Sequence, residues 1–98
     1  MKAAIFLLGA LAAAGPAAAD EALAAQKGCT ACHSIDKKVI GPAYRDVAKK
    51  YKGDAQARAK LSASVVGGST GKWGQIPMPP NKVTPEEAAK LAAWVLSL

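Results

Sequence analysis

The sequence predicts a small all-α domain. Nothing in it alternates polar and apolar residues with period two for more than a few positions, and β-branched residues are sparse. Apolar residues recur instead at helical spacing, and Gly, Pro and capping residues fall at the ends of those stretches.

The elements follow in order. Met1-Lys2, the uncharged stretch Ala3 to Ala19, the Gly15-Pro16 break and the small-residue end Ala17-Ala18-Ala19 have the layout of a secretory signal peptide. As a membrane anchor this stretch falls short of the roughly 20 residues a spanning helix needs. Residues 1–19 are therefore expected to be a cleaved leader, and residues 20–98 a single domain. A first helix is expected from about Glu21 to Lys27, with acidic residues at its positive end and Gly28 as its stop. A second follows Gly41-Pro42, with Tyr44, Val47, Ala48 and Tyr51 on one face and Gly53 at its end. Asp54 is read as the cap of a third helix, Ala55 to about Val66, stopped by Gly67-Gly68. Ser69 to Asn81 is rich in Gly and Pro and is expected to be a loop. The last helix has the clearest start, a capping box with proline at its first position in Thr84-Pro85-Glu86-Glu87. Its face is Ala88, Leu91, Trp94, Val95 and Leu98.

Such a domain is short of core. Much of the 51% hydrophobic content of the 98 residues is alanine, and past the leader the aromatics are Tyr44, Tyr51, Trp73 and Trp94. A chain this small usually needs a disulfide, metal or cofactor as a staple. With only two cysteines, a disulfide framework is excluded. Loss of Lys2 with the leader takes the net charge from +6 to +5, without the dense basic run that nucleic-acid binding would favour.

Cys29-Thr30-Ala31-Cys32-His33 supplies the staple, because this spacing reads as a covalent attachment site for a c-type haem. On a helical turn both sulfurs and the imidazole address one object: the thiols add to two vinyl groups while His33 takes the iron. Structural zinc needs four ligands, and His33 is the only histidine. A thioredoxin-like pair would sit near a βαβ pattern, which is absent, and a simple disulfide would leave His33 idle. Beyond Met1, the only methionine is Met78, in the proline-stiffened run Gln75-Ile76-Pro77-Met78-Pro79-Pro80. A thioether there, opposite His33, would raise the reduction potential and close both axial positions. With no second histidine, and lysine needing to lose a proton first, Met78 is the expected sixth ligand. A carbonyl of Gly41-Pro42 can accept the other imidazole N–H, or the pair is a plain turn. The Trp73 indole N–H can meet a propionate, or the ring plugs the loop. Asn81 can donate to the Met78 sulfur, or faces solvent.

With Cys29 to His33, Gly41-Pro42-Ala43-Tyr44, Trp73 to Asn81 and the Trp94-Val95-Leu96-Ser97 ending in hand, residues 20–98 resemble a bacterial class I cytochrome c. They are most similar to the small cytochrome c-551/c-552 (c8) group. The resemblance implies that fold, with about four short helices around one haem and the first and last helices crossing. It implies His33 and Met78 as axial ligands, a Pro42 carbonyl on His33, Trp73 towards a propionate and Asn81 near the Met78 sulfur. It also implies a single-electron carrier of the periplasm, between respiratory complexes and a terminal oxidase or nitrite reductase. Two positions depart from many relatives: Leu23-Ala24-Ala25 lacks an aromatic, and Ser64 stands where some place a basic residue in reach of a propionate.

The expected function is an electron shuttle, monomeric and without a substrate of its own. Thr30 and Ala31 lie at the exposed haem edge, with Val39, Ile40, Ile76, Pro77, Pro79 and Pro80 as an apolar docking surface. Lys27, Lys38, Lys72 and Lys82 rim it and would steer acidic redox partners into weak, transient complexes, or they form a solvated coat. The rival readings are a peroxidase-like or ligand-sensing protein whose sixth position opens, and a domain that works only as a docked subunit.

Overall fold

The computed structural model describes residues 16–98, so all but the last four residues of the expected leader lie outside the described residues. Four helices follow one another: α1 (Pro16–Gln26), α2 (Tyr44–Lys50), α3 (Ala57–Gly67) and α4 (Pro85–Leu96), with a 3-10 turn at Cys29–Ala31. Among the described residues the only β-type pairings are two isolated bridges, His33 with Lys38 and Ser69 with Met78.

Local chemistry explains most boundaries. α1 begins five residues ahead of the expected Glu21, because Pro16 suits a helix start and the alanines behind it are the best helix formers. It ends before Gly28, whose φ of 80° begins the 3-10 turn. α2 starts after Pro42-Ala43, and Lys49 and Lys50 lie at its negative end. α3 starts two residues later than expected. Asp54 does not cap it directly: its Oδ1 accepts from the Gln56 N–H at 2.8 Å and its Oδ2 from Lys60 Nζ at 2.7 Å, holding a turn ahead of the helix. At α4 both halves of the capping box form, with Glu87 N–H on Thr84 Oγ1 at 3.1 Å and Thr84 N–H on Glu87 Oε1 at 2.9 Å.

α4 is the hub on which the other three helices pack. Ala24 of α1 joins Tyr44 of α2 with Leu91 and Trp94 of α4 in one cluster, against which Leu23, Cys29, Val65 and Leu98 pack. The absence of an aromatic in α1 is thus met by contact at a small residue: Ala24 is 1% exposed. A second cluster joins Val47, Tyr51 and Ala57, with Leu61, Val95 and Leu96 packed on it. No large side chain among the described residues is completely buried. The core is as thin as the composition implies, and its aromatic members face a shared cavity.

Candidate functional site

That cavity has a volume of about 470 Å³, and every helix contributes to its lining. Cofactor sites commonly occupy roughly 300–1,000 Å³. Cys29, Cys32, His33, Pro42, Trp73, Met78 and Asn81 all line it, so the fold brings together the seven residues read as candidates for attachment, ligation and their support, whereas Thr30, Ala31, Pro80, Lys27 and Lys82 of the expected docking edge lie outside the lining.

The turn after Gly28 sets the first wall. Cys32 N–H and His33 N–H both bond the Cys29 carbonyl, at 3.2 and 2.9 Å, which winds the two cysteines and the histidine into one tight turn. The cysteines are free thiols. Burial pushes the Cys29 thiol above its ordinary range, while its own backbone hydrogen bond and the nearby Tyr44 hydroxyl pull the other way. Gly41 N–H returns to the Cys32 carbonyl at 2.7 Å, laying residues 40–42 against the imidazole. His33 Nδ1 lies 2.8 Å from the Pro42 carbonyl. A carbonyl only accepts, so Nδ1 carries the proton and Nε2 presents its lone pair. Tyr44 stacks on the other side of this group, its ring 5.1 Å from the imidazole at 22°, and meets Trp94 edge-on at 5.2 Å. Position 44 reads in the sequence only as part of a helix face. Its stacking on His33 has no local signal, because it depends on where α2 is laid down.

The second wall is the loop after α3. Ser69 and Met78 exchange both backbone hydrogen bonds, at 2.9 and 2.8 Å, so the loop closes on itself and Met78 is held beside the end of α3. Gly68 makes this possible: its φ is +83°, and a Cβ there would lie 2.7 Å from the Met78 carbonyl. Asn81 Nδ2 donates to the Val65 carbonyl at 3.0 Å and lies 3.3 Å from that of Pro79, rather than bonding the Met78 sulfur. In this structure Asn81 ties the far end of the loop to α3. Trp73 is 38% exposed and lies under Lys50 Nζ, which is 4.5 Å from the ring centroid.

The lining fits a broad, largely apolar group with polar edges. Its one buried polar atom without a partner is the Tyr44 hydroxyl, which lies near Cys29 without reaching hydrogen-bond geometry, and whose proton burial holds well above the usual phenol range. Among the described residues no three His, Cys, Asp or Glu side chains cluster to hold a bare metal ion, which disfavours the zinc alternative on the donor set itself.

Residues 17–98 match the family model described as Cytochrome c. The chain belongs to the cytochrome c family. It is 56% identical over 90 residues to cytochrome c-551 of Pseudomonas aeruginosa, covering 91% of this chain and 86% of that one. To cytochrome c-552 of Hydrogenobacter thermophilus it is 52% identical, covering 87% of each. The crystal structure of cytochrome c552 from Nitrosomonas europaea superposes with a TM-score of 0.78 at 47% identity, over 80% of this chain and 98% of that one. The chain is thus a small class I cytochrome c of the c-551/c-552 type, a haem-based electron carrier with one covalently bound c-type haem. No helix among the described residues is long and apolar enough to cross a membrane.

Proposed function

We propose that this cytochrome is an exported single-electron carrier in which Cys29 and Cys32 hold the haem as thioethers, and His33 and Met78 ligate its iron. Residues 1–19 are read as the leader that directs it to the periplasm, where residues 20–98 act as a monomer. The observation that carries the proposal is that Met78, far along the chain from the contiguous Cys29, Cys32 and His33, lines the same cavity as they do. Cys29 and Cys32 would hold the haem as thioethers, each thiol adding across one vinyl group with its sulfur on one carbon and its hydrogen on the other. Bound haem supplies one-electron chemistry, its iron alternating between Fe(II) and Fe(III).

What the protein contributes is rigidity. The Pro42 carbonyl orients the His33 ring, Tyr44 stacks against it, and Gly41 passes too close for any side chain to intervene. Met78 is carried by a loop pinned at Ser69 and Asn81. A site that keeps both ligands in each oxidation state needs little rearrangement and leaves no position for a substrate, which supports a carrier over a catalyst. Val39, Ile40 and Ile76 are 54%, 52% and 70% exposed beside the cavity, and such an apolar edge suits brief docking of redox partners.

The test is the ferric spectrum. A weak far-red sulfur-to-iron band is expected, and Met78→Ala should abolish it, lower the potential and admit cyanide. An unchanged spectrum in that variant would return Met78 to a packing role and revive the peroxidase-like alternative.

A further inference from the structure

Tyr44, the first residue of α2, is fixed by its backbone and by its ring. Its N–H bonds the Ser34 carbonyl at 2.9 Å and the Arg45 N–H bonds that of Ile35 at 3.1 Å, so α2 starts against the segment that leaves the Cys29 to His33 turn. The ring is held between the His33 imidazole, stacked at 5.1 Å, and Trp94, met edge-on at 5.2 Å. These contacts aim the phenol inward: the residue is 6% exposed, and its hydroxyl is buried without a hydrogen-bond partner.

A buried hydroxyl left unpaired is costly, which directs attention to the acceptors around it. The cluster that encloses Tyr44 is Ala24, Leu91 and Trp94, with Cys29 packed against it among aliphatic side chains. Trp94 offers only a donor. Of the two His33 nitrogens, Nδ1 is committed to the Pro42 carbonyl and Nε2 is the proposed iron ligand. The Cys29 sulfur is the remaining side-chain acceptor; it lies near the hydroxyl, and both residues line the cavity. Rotation about the Cys29 Cα–Cβ bond swings the sulfur without moving the backbone. While the thiol keeps its hydrogen, either group can donate to the other. A thioether has no such hydrogen and only accepts, so attachment leaves the phenol as the sole donor of the pair.

We propose that in the holoprotein the Tyr44 hydroxyl donates a hydrogen bond to the Cys29 sulfur, so that one side chain of α2 ties the first thioether to the His33 ring. This rests on the reading of Cys29 as an attachment residue and goes beyond it, since Tyr44 lies outside the motif. Tyr44 is a positioning residue: it forms no bond to the haem and moves no proton. Its ring fixes the plane of the imidazole, and its hydroxyl fixes the direction of the Cys29 side chain. The positive end of the O–H dipole points at the thioether edge, where it favours the form that carries the extra electron.

The experiment is proton NMR on the ferrous holoprotein. The Tyr44 hydroxyl should give a slowly exchanging resonance with a cross-peak to the Cys29 β protons, and this resonance should vanish in Tyr44→Phe, which keeps the ring. At fixed applied potential the same variant should raise the ferric-to-ferrous ratio about twofold, the scale of one weak hydrogen bond. A hydroxyl that exchanges at the solvent rate, cross-peaks that run to another residue or to a bound water instead, or an unchanged ratio in Tyr44→Phe would overturn the proposal. Mass spectrometry of the denatured protein reports attachment separately. Absence of covalent haem would overturn the proposed function and this inference together, whereas attached haem without the cross-peak would count against Tyr44 alone.

Discussion

Gly41 touches the site through what it lacks. A Cβ there would lie 2.5 Å from His33 Cε1 and 2.9 Å from Nδ1, and since the backbone angle is ordinary the constraint is space alone. Gly41→Ala should force the imidazole away from the Pro42 carbonyl and destabilise the holoprotein by about 1–3 kcal/mol, the usual cost of overpacking. A shift of the denaturant midpoint with an altered ferric spectrum would show it, and a native midpoint would mean that the ring yields freely. Gly68 is doubly constrained, by its positive φ and by the Met78 carbonyl. Gly68→Ala should therefore loosen the loop and weaken the far-red band while leaving the haem covalently attached, as mass spectrometry of the denatured protein would report.

At the scale of the element, α4 carries the most, because the other helices all pack on it. Its start is secured by the capping box, and Thr84→Ala should cost about 1 kcal/mol, read as a lower denaturant midpoint at neutral pH. Glu87 also meets Lys27 across α1 and α4 at 3.3 Å. The backbone N–H of Thr84, foremost, and then Lys27 hold the Glu87 carboxyl below its ordinary range. A carboxyl depressed in the folded state stabilises it fully above the unfolded pKa, and that contribution is lost as pH falls through the folded value. Stability of the native protein should accordingly decline on acidification below about pH 4.3, the ordinary glutamate value. Glu87→Gln should lose part of that dependence while lowering stability at pH 7. Parallel acid profiles for the two proteins would show that the exposed pair contributes nothing.

For the whole molecule the question is how a basic protein, +6 over the full chain and +5 without Lys2, meets a partner. Of the four lysines expected at the rim, Lys27 is engaged with Glu87 and Lys72 with Ser64, which leaves Lys38 and Lys82 as the freer cations. Electron transfer to an acidic partner should slow as salt rises, since the Debye length falls from about 10 Å at 0.1 M to about 3 Å at 1 M. Lys38→Glu and Lys82→Glu should slow association more than Lys27→Glu, with Lys90→Glu on α4 as the control. Stopped-flow rates equal to those of Lys90→Glu at every ionic strength would reduce the lysines to a solubilising coat. The thin core has a consequence at the same scale. Replacing both Cys29 and Cys32 by Ser should yield protein without covalent haem that loses its near-ultraviolet circular dichroism, because Tyr44 and Trp94 pack around the cavity.

Signals that act within one turn of chain were fully legible in the sequence. Cys29 to His33 wind into the expected turn, Thr84 to Glu87 form the expected capping box, and α1 ends ahead of the expected stop at Gly28. The chemistry of such motifs is complete within five residues, and tertiary context has little left to decide. Boundaries were less legible where two local preferences compete: Asp54 spends its carboxylate on Gln56 and Lys60 in a turn, and α3 starts after it. Everything that depends on which elements meet was decided by the tertiary structure. It sends the Asn81 amide to the Val65 carbonyl rather than to a sulfur, stacks Tyr44 on His33 across α2, and lays Lys50 over Trp73 from 23 residues away in sequence. No periodicity encodes these pairings, because they follow from three helices packing on α4 with small side chains at the contacts. The sequence determined what chemistry the chain carries, and the packing around α4 determined which side chains surround it.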